Sequence, residues 1–310
     1  MIEFKNILYV AEEASDQVSA IERAVAIAEN NRSRLTILDV IPPVAESYFA
    51  ETLIYSKQKL QSLLQPYLNR VPIEIEISTG TVFLEVIRSV LRNEYDLVIK
   101  AAENPDFMQR LFGSVDMHLL RKCPCPVWLM KLPEKSKYDC VVAAVDFDPL
   151  QIAASEQAFN NEILDRASVL ALTDGASLHL VHAWEAFAER AMLAHGAISN
   201  ENVTAHVQKQ ASMRQKALYG LGEMLRSRIG TDSYDKLSLN FHLVKGPAKK
   251  VIAPFAAELR ADLVVMGTVA RTGISGLIIG NTAEAILNQL DCSVLAIKPA
   301  GFKSPVTLEP

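Results

Sequence analysis

The residues whose types and spacing could do chemistry concentrate in one stretch, MGTVARTGISGLIIGNTAEAIL, from Met266 to Leu287. Four glycines, Gly267, Gly273, Gly276 and Gly280, crowd a loop that leads from an apolar run into a helix-period segment. Glycine lets the backbone pass close to a bulky anion, and a helix start offers free N–H groups and a positive dipole end. The stretch therefore reads as a candidate phosphate cradle. A turn that needs positive φ accounts for the same glycines equally well. Neither G-x-G-x-x-G nor G-x-x-x-x-G-K followed by Ser or Thr occurs, so a Rossmann dinucleotide site and a P-loop are both unsupported.

Other chemistry finds little footing. Ser275, in GISGL, does not fit the G-x-S-x-G spacing of a nucleophile elbow. His179 and His182 stand three apart on one predicted strand, so they point to opposite faces and cannot chelate one metal together. His118, His195, His206 and His242 have no partner in sequence, and only a cluster formed in space could give them one. Of the four cysteines, Cys123, Cys125, Cys140 and Cys292, none forms a C-x-x-C pair. Burial favours Cys125 and Cys292 as packing residues over redox sensors. Trp128 and Trp184 sit in apolar runs and read as core or interface aromatics. Lys249 and Lys250 open a helix-period segment, where they either reach a bound anion or remain solvated.

The elements that must position the glycine loop alternate between short apolar runs and helix-period segments. NILYV is followed by a helix over Val18 to Asn30, LTILDV, an amphipathic stretch from about Ala45 to Leu68, IEIEI, a helix near Val82 to Leu91, DLVIK, a loop and PVWLM. The order then repeats. CVVAAV is followed by a helix to about Thr173, SLHLVHAW, a helix near Val203 to Leu225, LSLNFHLV, a helix near Ala248 to Leu259, DLVVM, a loop and SVLAI. Strands joined by 10 to 20 residue helical crossovers imply parallel sheets and an α/β class. Ligands in such sheets sit beyond the carboxyl ends of the strands at the point where strand order reverses, which selects the residues after the first and fourth strands of each repeat.

The repeat shows in residues as well. KCPCPVWLMKLP matches QLDCSVLAIKPA, pairing Cys125 with Cys292, Val127 with Val294 and Lys131 with Lys298 at one constant offset. YDLVIKA at Tyr95 matches ADLVVMG at Ala261. The two domains expected are residues 1–135 and 136–310, joined by the short charged hinge KLPEKSKYD. That hinge is too short to let the halves drift apart, so they are expected to pack face to face. With 310 residues, half of them hydrophobic, and a net charge of -5, the chain has core enough for two domains. It has no electrostatic draw toward nucleic acid or an anionic membrane. The few cysteines fit a reducing compartment, and neither a secretory signal nor a ~20-residue apolar span is evident, so a cytoplasmic protein is expected.

The chain resembles the universal stress protein family, whose adenine-nucleotide-binding members carry Gly, two residues, Gly, nine residues, then Gly followed by Ser or Thr. Here the spacing is Gly267, two residues, Ala270, nine residues, Gly280, Asn281. GTVARTGISGLIIGNTAE and HLLRKCPCPVWLMK resemble the tandem-domain, E-type subgroup. The resemblance implies two tandem doubly wound five-stranded parallel sheets, each of order 3-2-1-4-5, associating through their fifth strands as an intramolecular pseudo-dimer. It places Asp146, Ala183, Met266 and Gly267 on the adenosine side, and Ala270, Gly280, Asn281 and Thr282 toward phosphates, with Mg-ATP as the candidate ligand. Arg271 beside the loop could add a charge-assisted contact.

Two departures have physical consequences. Ala270 adds a methyl where the family's glycine lets the backbone crowd the phosphates. Asn281 can still cap the helix and donate its amide. In the first half, Ala11 stands where Asp146 is expected, Ala101 and Asn104 replace two glycines, and only Gly113 and Ser114 keep the motif, so that half is expected to bind no ATP in the family manner. The resemblance implies a stress-tolerance protein without catalytic turnover, acting through protein partners, with no nucleic acid or membrane partner and with a homodimer left open. A slow ATPase and a binder of another small molecule are the rival readings. No metal site is expected.

Overall fold

Runs such as Ile7–Val10 and Val294–Ile297 are apolar on both sides of the chain, which suits strands covered by helices on both faces. In the computed structural model, which describes residues 4–12, 17–102, 114–150, 153–186, 200–268 and 279–308, these runs become the interior of one sheet. The first repeat comprises β1 (Asn6–Ala11), α1 (Val18–Asn31), β2 (Arg34–Ile41), α2 (Glu46–Leu64), β3 (Ile73–Thr79), α3 (Val82–Asn93), β4 (Leu97–Ala101), α4 (Val115–Lys122) and β5 (Val127–Met130). The second comprises β6 (Cys140–Val145), α5 (Ala154–Asp174), β7 (Ser177–Trp184), α6 (Asn200–Ile229), α7 (Thr231–Lys236) and β8 (Ser238–Lys245). It continues with α8 (Ala248–Glu258), β9 (Leu263–Gly267), α9 (Asn281–Leu287) and β10 (Ser293–Ile297).

Local chemistry sets several boundaries. Ala20, Ile21, Ala24, Val25, Ile27 and Ala28 put one buried stripe on α1, and the helix stops where Arg32 turns left-handed at φ 51°. Pro66 ends α2 in a 3-10 turn at Gln65–Tyr67, short of the expected Leu68. The segment expected to be only a loop before PVWLM contains α4, started by Ser114, whose side chain accepts from the Met117 N–H at 3.2 Å.

The strands order as β3-β2-β1-β4-β5-β10-β9-β6-β7-β8, so each half has the expected 3-2-1-4-5 arrangement. Pairing is parallel except at the centre, where β5 and β10 run antiparallel with Leu129 opposite Val294 and Trp128 opposite Leu295. The expected face-to-face packing is thus corrected: the halves meet edge to edge and their sheets fuse into one of ten strands. The reason is physical. β5 and β10 are apolar and fully buried, and an unpaired edge there would strand a row of backbone donors and acceptors.

Two apolar layers follow, one on each sheet face, and each runs through both halves. One joins Tyr9, Trp128, Val141 and Leu295 under α1, α5 and α6. The other joins Val10, Leu129, Val264 and Val294 under α3, α4, α8 and α9. Polar contacts then lock the seam. Arg23 of α1 pairs with Asp174 at the end of α5 at 2.5 Å, donates to Ser136 O at 2.8 Å and lies over the Tyr138 ring. Arg121 of α4 pairs with Glu284 of α9 at 2.9 Å, and Ser293 donates to Glu134 Oε2 at 2.6 Å. The repeat-related lysines both cross the seam: Lys131 reaches Asp291, while the buried Lys298 donates to Leu120 O and, at 2.8 Å, to Thr268 Oγ1. Among the described residues no helix is long and apolar enough to cross a membrane, and no group of three or more His, Cys, Asp or Glu could hold a metal.

Lys298 generates a pH-dependent prediction. Burial pulls its ammonium from 10.5 down to about 8. The folded chain therefore releases that proton before the unfolded chain does, and the penalty, full below pH 8, is relieved as pH rises toward 10.5. In paired denaturant titrations, wild type is expected to gain about 3 kcal/mol on Lys298→Met across that window. The pH-independent loss of two hydrogen bonds cancels in the comparison.

Candidate functional site

Strand order reverses beside β6 and β9, and the carboxyl ends of these two strands open onto a cavity of about 410 Å³. Asp146 follows β6 with its side chain exposed. Asn160 of α5, itself 3% exposed, fixes that turn from both directions: it accepts from Asp146 N at 3.2 Å and donates to Asp146 O at 2.8 Å. The neighbouring Phe147 ring stacks on His182 at 4.0 Å, and His182 Nδ1 lies 3.2 Å from Val145 O. The backbone that presents Asp146 is thus held by buried amide and imidazole groups.

At the end of β9, Gly267 is required by packing. A Cβ there would lie 2.5 Å from Phe159 Cε1, so the glycine lets the aromatic ring of α5 floor the cavity. The chain returns at Gly280, whose N–H donates to Thr268 O at 2.9 Å and whose carbonyl accepts from Glu284 N at 2.9 Å. Gly280 takes the capping position of α9 with φ -65° and ψ 138°, an extended conformation open to any residue, and no side chain caps the helix. This corrects the expected capping role of Asn281, which is instead the first helical residue. First-turn N–H groups have no acceptor within their own helix, and here Asn281 and Thr282 bring them to the cavity wall.

Of the residues singled out from the sequence, Asp146, Ala183, Met266, Gly267, Gly280, Asn281 and Thr282 converge on this cavity. Ala270 and Arg271, with Gly273, Gly276 and Ser275, lie outside the described residues. Sequence reasoning missed the α5 contribution of Glu156, Phe159, Asn160 and Ile163, and the α8 contribution of Ala248 and Ile252. These line the cavity at helical spacing, a signal indistinguishable in sequence from ordinary core. Lys249 and Lys250 are exposed. No described histidine lines the cavity, and His179 Nδ1 lies 2.9 Å from His242 Nε2 in a pair formed across β7 and β8, a spatial partnership with no trace in sequence.

The first half solves the same position differently. Val10 pairs with Lys100 across β1 and β4, and Ala144 pairs with Met266 across β6 and β9. The equivalent of Asp146 is therefore Glu12, one residue beyond the expected Ala11. Lys100 replaces Met266, and Asp116 in α4 takes the place of Ala283 in α9. Lys100 Nζ sits 2.7 Å from Glu12 Oε1 and 2.7 Å from Asp116 Oδ1, and it donates to Ala101 O at 3.0 Å. Burial alone would pull the Lys100 ammonium down, but the two carboxylates more than offset it and hold it above its usual value. Burial likewise raises Glu12 despite Lys100. Where the second half leaves a cavity, the first half thus places its own ion triad.

A model of the universal stress protein family matches residues 3–131 and again residues 137–298. The chain belongs to the universal stress protein family. It is 29% identical to Universal stress protein E of Escherichia coli (strain K12) over all of this chain and 98% of that protein. It is 28% identical to Universal stress protein E homolog of Haemophilus influenzae, covering 96% of this chain and 99% of the relative. Among solved structures, a functionally unknown protein from Pseudomonas aeruginosa PAO1 superposes with a TM-score of 0.67 at 25% identity, covering 96% of this chain and 93% of that one. A universal stress protein from Archaeoglobus fulgidus DSM 4304 shares the fold, with a TM-score of 0.65 at 17% identity over 96% of this chain and 98% of that one. Within this tandem universal stress protein architecture, the asymmetry rests on Lys100 against Met266. Lys100→Met leaves the buried Asp116 and the partly exposed Glu12 without their cation, and an unfolding free energy lower by about 3–5 kcal/mol is expected in urea titrations. Adding Asp116→Ala is expected to recover most of that loss.

Proposed function

We propose that the second half is the ligand-binding unit of a non-catalytic stress-tolerance protein and that its ligand is an adenine nucleotide. The observation that carries this reading is the contrast between halves: equivalent strand ends frame an open cavity in one and an ion triad of the chain's own side chains in the other. The cavity volume of about 410 Å³ falls in the small-molecule range of roughly 300–1,000 Å³. Its chemistry is divided. Asp146 offers an acceptor for ribose hydroxyls, Ala183, Met266 and Ile252 give an apolar wall for a base, and the first-turn backbone at Asn281 and Thr282 offers donors for phosphate oxygens.

The ligand proposed is ATP, with magnesium carried on its phosphates. Magnesium bound there would offset phosphate charge in a cavity whose described titratable lining residues are Asp146 and Glu156. Absence of turnover is part of the proposal. Among the described lining residues the titratable groups are these two carboxylates, with no histidine, cysteine, lysine or arginine to relay a proton or steady a developing charge. Signalling then falls to protein partners that read whether the cavity is filled. A cytoplasmic location is proposed with it.

Calorimetric titration of ligand-stripped protein with Mg-ATP tests the reading. Saturable binding near one site per chain is expected, abolished in Gly280→Val and weakened roughly 10- to 100-fold in Asp146→Ala, the loss of one hydrogen bond to a charged group. Heat no greater than dilution would overturn the nucleotide, and phosphate release dependent on Asp146 would overturn the absence of turnover.

A further inference from the structure

The segment Cys123–Pro124–Cys125–Pro126 joins α4 to β5 and carries two cysteines where the second half has one, Cys292 matching Cys125 and Leu290 standing at the place of Cys123. Cys123 caps α4 in an extended conformation, φ -65° and ψ 131°, with its N–H on Leu119 O at 2.9 Å. Residues two apart in extended backbone point the same way. The two sulfurs accordingly lie 3.6 Å apart, in contact and sharing a thiol hydrogen bond. Cys123 is fully buried and Cys125 is 8% exposed.

The surroundings differ from those of the other cysteines. Burial raises the Cys123 thiol, but its hydrogen bonds with Cys125, helped by Lys298, more than offset this and lower it, while the same hydrogen bond, burial and Asp96 push Cys125 well up. Cys292, by contrast, is pushed up to about 12 by burial and by Asp291, and burial raises Cys140. Within the contact pair Cys123 is thus the sulfur that ionises more readily, the state in which a thiol reacts, and Cys125 the one that keeps its proton.

We propose that Cys123 and Cys125 form a redox-active dithiol that closes to a disulfide on reaction with a peroxide and, in doing so, loosens the cavity of the second half. The first step forms a sulfur–oxygen bond from the thiolate as the peroxide O–O bond breaks, and the departing hydroxide takes a proton to leave as water. In the second step the partner sulfur attacks the sulfenic sulfur, the S–O bond breaks, and a second water leaves with the partner's proton. Two thiols and one peroxide thus give one disulfide and two waters.

The route to the cavity is short. Closing the sulfurs from 3.6 Å to about 2.0 Å draws on the end of α4 and removes the thiolate facing Lys298. Lys298 donates to Leu120 O in that same turn and to Thr268 Oγ1, and Thr268 O accepts the N–H of Gly280. Cysteine pair, lysine, threonine and the capping glycine of α9 form one contact chain from the first half into the second.

The test uses the full chain, treated with hydrogen peroxide, then denatured, alkylated and mapped by peptide mass. Loss of two of the four alkylatable thiols is expected, with the Cys123–Cys125 peptide lighter by two hydrogens and restored by dithiothreitol. Amide exchange over residues 279–287 is expected to quicken in the oxidised protein and to stay unchanged by peroxide in Cys123→Ser. Full alkylation of both cysteines, or a sulfinic acid on one without a disulfide, would overturn the dithiol. A disulfide that leaves the exchange of 279–287 unchanged would overturn its link to the cavity.

Discussion

The antiparallel pairing of β5 with β10 is the constraint on which the rest of the molecule depends. Each half ends its sheet in a short apolar strand whose outer edge would be a row of unpaired backbone groups. Neither solvent nor a helix covers that edge, so the two edges must satisfy each other. Once they do, the apolar layers above and below become continuous, and Trp128 and Leu295 belong to one core rather than to two. The seam then acquires contacts that neither half could make alone, including the buried Arg23–Asp174 pair and the passage of Lys298 to Leu120. Breaking the seam would expose apolar surface and uncompensated charge together, which is why a two-domain sequence yields one body.

The same pseudo-symmetry makes the difference between halves informative. Equivalent backbone positions carry opposite solutions to one problem, the acidic group at the end of the first strand. In the second half Asp146 is presented outward by Asn160 and faces a cavity. In the first half Glu12 is answered from within by Lys100, with Asp116 as the second anion. A buried cation between two carboxylates contributes little net stability over an apolar filling, yet removing any one member is expensive. The arrangement therefore resists reversal, and it fixes which half keeps an open cavity.

Much of this was legible in sequence. The two βα repeats follow from apolar runs separated by helical periods, while the strand order and the role of PVWLM and SVLAI as contact strands are what the family resemblance implies. What sequence could not show was how the edges meet: nothing in VWLM distinguishes stacking on a sheet from extending one. The register of the first strand was misread by one residue, because NILYV and CVVAAV have no internal landmark, and Glu12 emerged only when Val10 was found opposite Lys100. Asn160, Phe159 and the His179–His242 pair were invisible for a related reason, since contacts across elements leave no periodic trace. The glycine loop was read for its capacity to approach an anion, but Gly267 has a second duty, leaving room for a ring of α5.

The repeat-related lysines show how one duplicated residue can acquire two physical characters. Lys131 and Lys298 follow equivalent strands and both cross the seam, but Lys131 meets Asp291 at a partly exposed surface while Lys298 is sealed among backbone carbonyl, hydroxyl and sulfur groups. Exposure makes the first a weak, salt-screened tie. Burial makes the second a group whose charge is strained and whose neighbours are therefore energetically coupled to it. Any change that alters the charge balance beside Lys298 must be felt at Leu120 and Thr268, which lie in different halves. The fused sheet thus makes α4 of the first half a structural support for the cavity of the second.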